Sequence, residues 1–148
     1  MNIRKAERRD ISRICEILVF VKRINFLPIF GDEGYSFGEL QVLSLAEKFY
    51  DGKLLDSFYV WDDGIVKGFI HVEGDEVCEL YVDSFFQSQG IGRELLSFAV
   101  EKHGVKFLWA IEKNVRAVKF YRENGFLPNG EKKFEEGTAE YLIKLVRQ

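Results

Sequence analysis

The sequence of 148 residues contains few cysteines, few prolines and no long apolar run. Its two cysteines, Cys15 and Cys78, lie far apart and outside any CxxC pair, which predicts two reduced, buried thiols and a protein of the cytoplasm. A structural zinc site needs about four ligands, and the two histidines, His71 and His103, stand at no ligand spacing to the cysteines. We therefore expect no metal.

Features that direct a chain to a membrane or across it are equally scarce. The first ten residues carry no apolar core of a signal peptide. No apolar run approaches the ~18 residues of a membrane span, and the longest, residues 14–21, is interrupted by Glu16. Since there is also no Ser- or Gly-rich tract and no internal repeat, the sequence predicts one domain over residues 1–148 that acts away from membranes.

The charges nearly balance, with 21 Lys and Arg against 24 Asp and Glu, a net charge of −3. A content of 47% hydrophobic and 30% charged residues is typical of a soluble globular protein. The slight acidic excess does not favour nucleic acid as a partner. Aromatic residues make up 15% of the chain, which predicts a core of large side chains framing a cavity or groove.

Residue periodicity predicts a strand, two helices and then an antiparallel meander in the first half of the chain. Asp10 suits the N-cap of the first helix, and Pro28 is expected to stop it. The predicted elements are a strand at 1–6, a helix from 11 that ends before Pro28, an aromatic loop at 25–38, a helix from 39 to about 50, and strands at 58–61, 65–72 and 77–82.

The second half alternates helices and strands. The predicted helices are residues 90–102 and 114–123, and the predicted strands are residues 105–111 and 139–146. A meander followed by this alternation implies an α/β fold with a mixed central sheet, antiparallel at first and parallel later, flanked by about four helices.

Residues 80–93, LYVDSFFQSQGIGR, lead from a strand through a glycine-containing loop into a helix. The start of a helix offers unpaired N–H groups and the positive end of its dipole, and Gly90 and Gly92 let an anion approach the backbone. Arg93 adds a cation. The segment lacks both the P-loop pattern GxxxxGK[ST] and the third glycine of the dinucleotide pattern GxGxxG. It therefore predicts a phosphate site of another kind.

The pattern QxxGxG at residues 87–92, directly after Leu-Tyr-Val, resembles the pyrophosphate loop of the GNAT superfamily of N-acetyltransferases. Residues 114–126, NVRAVKFYRENGF, look like the NxxAxxFYxxxGF segment of that superfamily, and the order of elements matches over nearly the whole chain. The resemblance implies acetyl-CoA as co-substrate and direct acetyl transfer to a primary amine in a ternary complex. In folds of this kind the last strand could also pair across a homodimer.

The resemblance further implies roles for individual residues. The backbone of Leu80, Tyr81 and Val82 would pair with the pantetheine arm, where neighbouring strands splay. Asn114 would hydrogen-bond the cofactor, and Tyr121 would lie near the thioester sulfur. The pyrophosphate would be held by backbone amides of Gln87, Ser88, Gln89, Gly90, Ile91, Gly92 and Arg93.

Transfer to an amine also needs a proton for the leaving thiolate, and a phenol with a pKa of about 10 is protonated at neutral pH. Tyr121 therefore suits the acid, unless it only packs between helix and sheet, as Phe120 is expected to do.

A neutral amine requires a base, and three carboxylates are candidates. Strand alternation puts Glu79 and Tyr81 on one face and Cys78, Leu80 and Val82 on the other, apolar face. Glu79 then faces the cleft or solvent and ranks first. Glu76, at the start of the strand, lies where some members of the resembled family carry their base, and it ranks a close second because a bulge could exchange the faces. Glu112 is a third carboxylate near the same cleft, and a chain of water molecules is a further alternative.

We expect residues 25–38 and the hairpins to select the substrate, and Asp32 and Glu33 would suit a cationic amine. Either the aromatic side chains of this segment form the substrate surface or they merely pack on the core; they are Phe26, Phe30, Tyr35 and Phe37. The acceptor is a small amine, an amino acid or a peptide. The alternative function is a non-catalytic acyl-CoA-binding module. A simple phosphate binder would leave the match at residues 114–126 unexplained.

Overall fold

The computed structural model describes residues 2–50 and 52–148. Met1, part of the predicted first strand, lies outside the described residues. The elements, in chain order, are β1 (Ile3–Lys5), α1 (Ile11–Phe30), α2 (Val42–Glu47), β2 (Phe58–Asp62), β3 (Val66–Glu73), β4 (Glu76–Val82), α3 (Ile91–His103), β5 (Phe107–Ile111), α4 (Val115–Glu123), β6 (Phe126–Phe134) and β7 (Tyr141–Arg147).

The strands form one mixed sheet in the order β1-β2-β3-β4-β5-β7-β6. Neighbours are antiparallel except for β4 and β5, which run parallel. The predicted mixed α/β sheet flanked by four helices is thus confirmed, with its parallel part confined to one pair of strands. Within the described ranges, no helix has both the length and the apolar character needed to cross a membrane.

Each face of the sheet carries its own core, because alternate residues of the central strands point to opposite sides. We call one the α1-side core, which includes Ile14, Leu18, Phe49, Phe58 and Phe69. The other, the α3-side core, includes Ile70, Leu95, Leu108, Phe126 and Leu145. Both faces of the sheet therefore carry a core, and β4, in which only Val77 is fully buried, contributes side chains to both.

Helix α1 does not end before Pro28, as predicted, but continues to Phe30. Proline removes only one intrahelical N–H donor, and here its ring lies on the exposed side of the helix. The helix ends at Gly31 (φ 64°), whose N–H donates to the carbonyl of Leu27 at 2.8 Å. The prediction of a loop at residues 25–38 was therefore wrong over 25–30, and Gly34–Glu39 forms a π-helical turn.

Asp10 does not cap α1 with its side chain. Its buried carboxylate instead accepts hydrogen bonds from Arg4 Nη1 at 2.8 Å and Nη2 at 2.9 Å, and from the Glu7 N–H at 2.7 Å. The predicted cap thus anchors the end of β1 to the start of the helix. The second helix is also shorter than predicted, since regular helix covers only Val42–Glu47.

Strand β6 was not predicted. Its sequence FLPNGEKKF contains a proline and a glycine and buries only Phe126, so it shows no apolar alternation. It lies at the edge of the sheet, where proline is tolerated, and its register with β7 shifts between Pro128 and Lys132. Because β6 follows α4, the last helix leads into an antiparallel hairpin and not into a parallel strand.

Candidate active site

A cleft of about 860 Å³ opens where β4 and β5 separate. Among the described residues these strands pair only at Glu76↔Phe107 and Val77↔Leu108. Beyond that point β4 stays on β3 as far as Val82, while β5 follows β7, so the two strands diverge. The end of α1, the start of α3 and helix α4 complete the walls. The predicted splay beside residues 80–82 is thus present.

The loop before α3 has the backbone shape of an anion cradle. Gly90, at the N-cap of α3, has φ 85°, and Ser88 has φ 64°, the one positive φ among described non-glycine residues. The Glu94 N–H already donates to the Gly90 carbonyl at 3.0 Å, so the amides before it have no partner within the helix. Gln87 Nε2 donates to the Val82 carbonyl at 3.2 Å and ties the loop to the end of β4.

Gly92 permits the close approach of α3 to α4. A β-carbon at this position would lie 3.3 Å from Cζ of Phe120 and 3.7 Å from Cγ2 of Val82. The glycine spacing of the motif therefore serves two purposes: Gly90 supplies a backbone conformation that other residues rarely adopt, and Gly92 supplies room.

Four cationic residues line the cleft: Arg93 at the start of α3, Arg116 and Lys119 on α4, and Lys22 on α1. Arg116 and Lys119 are three residues apart on α4, which puts them on the same side of the helix. Of the three on α3 and α4, only Arg93 was predicted from the sequence for this role. The i,i+3 spacing of the other two within the second motif was the signal that could have found them.

Tyr121 lines the cleft from α4 and is held by aromatic contacts on two sides. Its ring meets Phe120 edge-on at 5.2 Å and Phe126 at 6.4 Å between centroids. Burial raises the pKa of Tyr121 above its ordinary value, so the phenol keeps its proton at neutral and moderately alkaline pH. Asn114, at the base of α4, caps that helix through Oδ1, which accepts from the Ala117 N–H at 3.4 Å. Its amide NH₂ is not used by the cap.

A β-bulge alters the faces of β4 near its middle. The register with β3 shifts between His71 and Val72, so that Glu79 opposes His71 while Val77 opposes Val72. Leu80 and Val82 pack on the α3-side core and Tyr81 on the α1-side core, as alternation predicted. Cys78 was wrongly placed with Leu80 and Val82: as the extra residue it lies near Glu73, with its Sγ 4.0 Å from Oε2.

Two carboxylates of the cleft wall lie near Tyr81. Glu79 lines the cleft with its side chain 22% exposed, and Glu135, which follows the unpredicted strand β6, also lines it. Burial raises the pKa of Tyr81 well above its ordinary value, and the nearby charges of Glu79 and Glu135 add to the effect. The cleft thus carries charged side chains of both signs, with Glu79 and Glu135 near Tyr81.

The family of the chain follows from comparison with known proteins. The family profile of the "Acetyltransferase (GNAT) domain" matches residues 55–128, which is half of the chain. The chain belongs to the GNAT acetyltransferase family. The matched residues include most of the cleft, from β4 through the cradle to α4.

Individual relatives agree with this assignment. Peptidyl-lysine N-acetyltransferase YiaC of Escherichia coli (strain K12) is 31% identical over 70 residues, which cover 46% of this GNAT chain and 48% of the relative. The similarity therefore spans about half of that relative's length.

Solved structures match over nearly the full length. An N-acetyltransferase from Staphylococcus aureus Mu50 gives a TM-score of 0.74 at 16% identity, covering 97% of this chain and 98% of that one. The PaiA N-acetyltransferase from Thermoplasma acidophilum, in complex with coenzyme A, gives 0.67 at 22% identity and covers 96% of each chain. At these identities the likeness establishes the GNAT fold, which confirms the predicted fold class.

The wall of the GNAT cleft contains most of the predicted cofactor-binding residues but only one of the three carboxylates predicted as the base. The residues that line it include Leu80, Tyr81, Val82, Gln87, Ser88, Gly90, Ile91, Gly92, Arg93, Asn114 and Tyr121. Gln89 lies in the same loop without forming part of the wall. Of the carboxylates, Glu79 is on the wall, whereas Glu76 is not, and Glu112 accepts from Lys132 Nζ at 2.7 Å outside it.

The aromatic segment reaches the GNAT cleft only at its beginning, through Asn25 and Phe26 at the end of α1. Phe30 contacts Phe26 edge-on at 6.0 Å and lies behind it. Tyr35 packs against the α1-side core, and Phe37 lies half-exposed beside Arg23, 5.1 Å from the guanidinium carbon. These three stay predictions for substrate contact, since they lie off the cleft wall.

Proposed function

We propose that this GNAT domain is an acetyl-CoA-dependent N-acetyltransferase that acts on a cationic primary amine. The observation that carries the proposal is the divergence of β4 and β5 after Val77↔Leu108, with the α3 N-terminus at the mouth of the gap and Glu79 and Tyr121 on its walls. An anionic ligand and a reacting centre thus fit into one continuous cleft. With Cys15 and Cys78 as free thiols, we expect the enzyme to act in the cytoplasm.

The residues present fit the parts of acetyl-CoA, which supplies the acetyl group as an activated thioester. The unpaired amides before Glu94 and the α3 dipole suit a pyrophosphate, and Arg93, Arg116 and Lys119 supply positive charge beside them. The edge of β4 that diverges from β5 offers backbone groups of residues 80–82 to an extended amide-containing arm, as an added strand would.

Glu79 acts as the base. An alkylamine reaches the cleft as an ammonium ion, which Glu79 and Glu135 attract, and it must lose a proton before its nitrogen can attack the acetyl carbonyl. The exposure of Glu79, at 22%, leaves it able to pass that proton on to solvent.

Tyr121 acts as the acid. Its hydroxyl gives a proton to the sulfur as the C–S bond breaks, and the phenolate then takes the second proton that the nitrogen loses once the N–C bond has formed, which restores Tyr121. The raised pKa keeps the phenol protonated until the transfer. The edge-on contacts with Phe120 and Phe126 fix the plane of the ring, so the hydroxyl is positioned before the reaction.

Transfer is direct, without an acetylated cysteine. Cys78 lines the cleft, but burial, assisted by the charges of Glu76, Glu73 and Glu79, raises its pKa to about 12. A thiol with this pKa is almost wholly protonated at neutral pH and is a poor nucleophile.

The test is an acetylation assay with the purified full chain, acetyl-CoA and a panel of polyamines, amino acids and lysine-containing peptides, followed by mass spectrometry of the acceptors. Gly90→Glu puts a bulky anion into the cradle and is expected to abolish acetyl-CoA binding and transfer. Gly104→Glu is the matched control, because Gly104 also has a positive φ (62°) and open space but caps the other end of α3.

Two results would decide against the proposal. Failure of the folded wild type to bind acetyl-CoA would remove the cofactor site. Binding that is lost in Gly90→Glu, without transfer to any amine of the panel, would favour the non-catalytic acyl-CoA-binding module.

A further inference from the structure

His71 of β3 is a buried histidine without hydrogen bonds. The residue is 8% exposed, and its ring stacks on Phe58 with centroids 4.2 Å apart and planes at 16°. Neither Nδ1 nor Nε2 has a hydrogen-bond partner among residues 2–50 and 52–148. Buried polar atoms are nearly always paired, so two orphaned nitrogens on one ring call for a ligand.

The groups that face these nitrogens are potential metal ligands. Glu73 Oε1 lies 3.4 Å from Nε2, and Glu79 Oε1 lies 3.5 Å from Nδ1. Cys78 completes the group, because the β-bulge turns it toward the same side of the hairpin. One ligand atom each from His71, Glu73 and Cys78 lie within 4.8 Å of one another.

This geometry is close to that of a bound ion. Ligand atoms of a tetrahedral zinc site, at 2.0–2.3 Å from the metal, are about 3.3–3.8 Å apart. The three atoms therefore need to close by roughly 1 Å, and Glu73, with its side chain 61% exposed, can rotate to do so. The same exposure provides a route for an ion from solvent to the buried ring.

We propose that His71, Glu73 and Cys78 form a binding site for a divalent zinc-like metal ion beside the cleft, with a water molecule as the fourth ligand. Imidazole nitrogen, thiolate sulfur and carboxylate oxygen together suit Zn²⁺, whereas Mg²⁺ and Ca²⁺ prefer oxygen alone. On binding, the S–H bond of Cys78 breaks, its proton passes to the buffer, and sulfur and the neutral imidazole each donate a lone pair.

The sequence predicted no metal because histidine and cysteine stand seven positions apart, without a recognisable ligand pattern. The hairpin between β3 and β4 removes that separation, and the bulge supplies the orientation. The proposal does not depend on acetyl transfer, since it is tested by metal binding alone.

The experiment is calorimetric titration of the metal-free full chain with Zn²⁺, with Co²⁺ absorption as a second measurement. We expect one ion per chain and, with Co²⁺, a thiolate charge-transfer band in the near ultraviolet. Cys78→Ser should abolish the band, and both Cys78→Ser and His71→Gln should weaken Zn²⁺ binding about tenfold or more. Cys15→Ser and His103→Gln are matched controls, since these are the other cysteine and histidine of the chain, and should bind as the wild type does.

Absence of Zn²⁺ binding by the wild type would overturn the proposal. Zn²⁺ binding by the Cys78→Ser variant that equals wild-type binding would also overturn it. So would a Co²⁺ spectrum of the wild type without the thiolate band, because this measurement involves no substitution that could alter folding.

Discussion

Replacing Gly68 of β3 with alanine adds one methyl group at a position where β4 and α3 leave no room for it. A β-carbon there would lie 3.1 Å from the backbone oxygen of Tyr81, 3.2 Å from Cγ2 of Ile91 and 3.3 Å from Cδ1 of Leu95. These atoms belong to β4 and to the first turns of α3. Gly68→Ala therefore pushes at once on the strand edge and on the helix start that form the proposed acetyl-CoA site.

The expected loss of stability follows from how little these neighbours can yield. The Tyr81 carbonyl is part of the backbone of β4, where residues 80–82 pair with β3, and Ile91 and Leu95 are 2% and 0% exposed. Overpacking a core of this kind costs about 3 kcal/mol when several contacts tighten together. Replacing glycine returns about 0.5–1 kcal/mol through the unfolded chain. The unfolding free energy should fall by about 2 kcal/mol.

Urea denaturation measures this change directly. With a denaturant slope of about 2 kcal/mol/M, the midpoint should fall by about 1 M. Gly38→Ala is the matched control, because nothing lies within 4 Å of the added methyl and no positive φ is required, so its midpoint should not fall. A Gly68→Ala midpoint within about 0.2 M of the wild type would show that α3 and β4 are not packed as described.

Three further predictions concern the proposed chemistry and the fold. Tyr121→Phe keeps the ring contacts but removes the proton donor. In the acetylation assay, kcat should therefore fall about 10²- to 10⁴-fold while the KM for acetyl-CoA stays unchanged. A kcat within about threefold of the wild-type value would exclude the acid role. Glu79→Gln should lower kcat by about 10²-fold or more, whereas Glu101→Gln, on the exposed side of α3, should not; equal rates for both variants would exclude Glu79 as the base. For Asp10, burial alone would raise the pKa, but hydrogen bonds from Arg4 and Glu7 outweigh it and leave the pKa lowered. Its ionisation therefore stabilises the fold above about pH 4, and this stabilisation is lost as the pH falls through the lowered pKa. The melting temperature should then depend on pH more steeply below pH 4 in the wild type than in Asp10→Asn. At pH 7 this variant should also lose about 3 kcal/mol of unfolding free energy. Parallel melting curves over that range would contradict this account.

The cofactor side of the cleft could be predicted from sequence because its determinants are local. Residues 80–93 contain the strand end, the loop and the helix start in one continuous segment, and Gly90 and Gly92 act through their own backbone and immediate surroundings. The same holds for α4, whose cap Asn114 and catalytic candidate Tyr121 lie seven residues apart. A short segment that fixes its own conformation needs little information from the rest of the chain.

The positions of Cys78 and Glu135 could not be predicted in this way, because they depend on pairing between distant segments. The bulge that moves Cys78 toward Glu73 is a property of the β3–β4 register and leaves no mark in the composition of β4 alone. Glu135 reaches the cleft only because β6 pairs with β7, and the polar edge strand β6 shows no alternation. The end of α1 was missed for the opposite reason: a strong local signal, Pro28, was outweighed by helical residues on both sides.

The distribution of charge along the cleft explains how a GNAT domain with a net charge of −3 could bind two partners of opposite sign. The wall formed by α3 and α4 carries three cations, Arg93, Arg116 and Lys119, with one carboxylate, Glu123, whereas Glu79 and Glu135 lie near Tyr81 and Lys22 belongs to α1. An ammonium ion is repelled at the wall of α3 and α4 and attracted near Tyr81, and a pyrophosphate experiences the reverse. We therefore expect an amine substrate to be directed toward Glu79 and Tyr121, where the proposed transfer takes place.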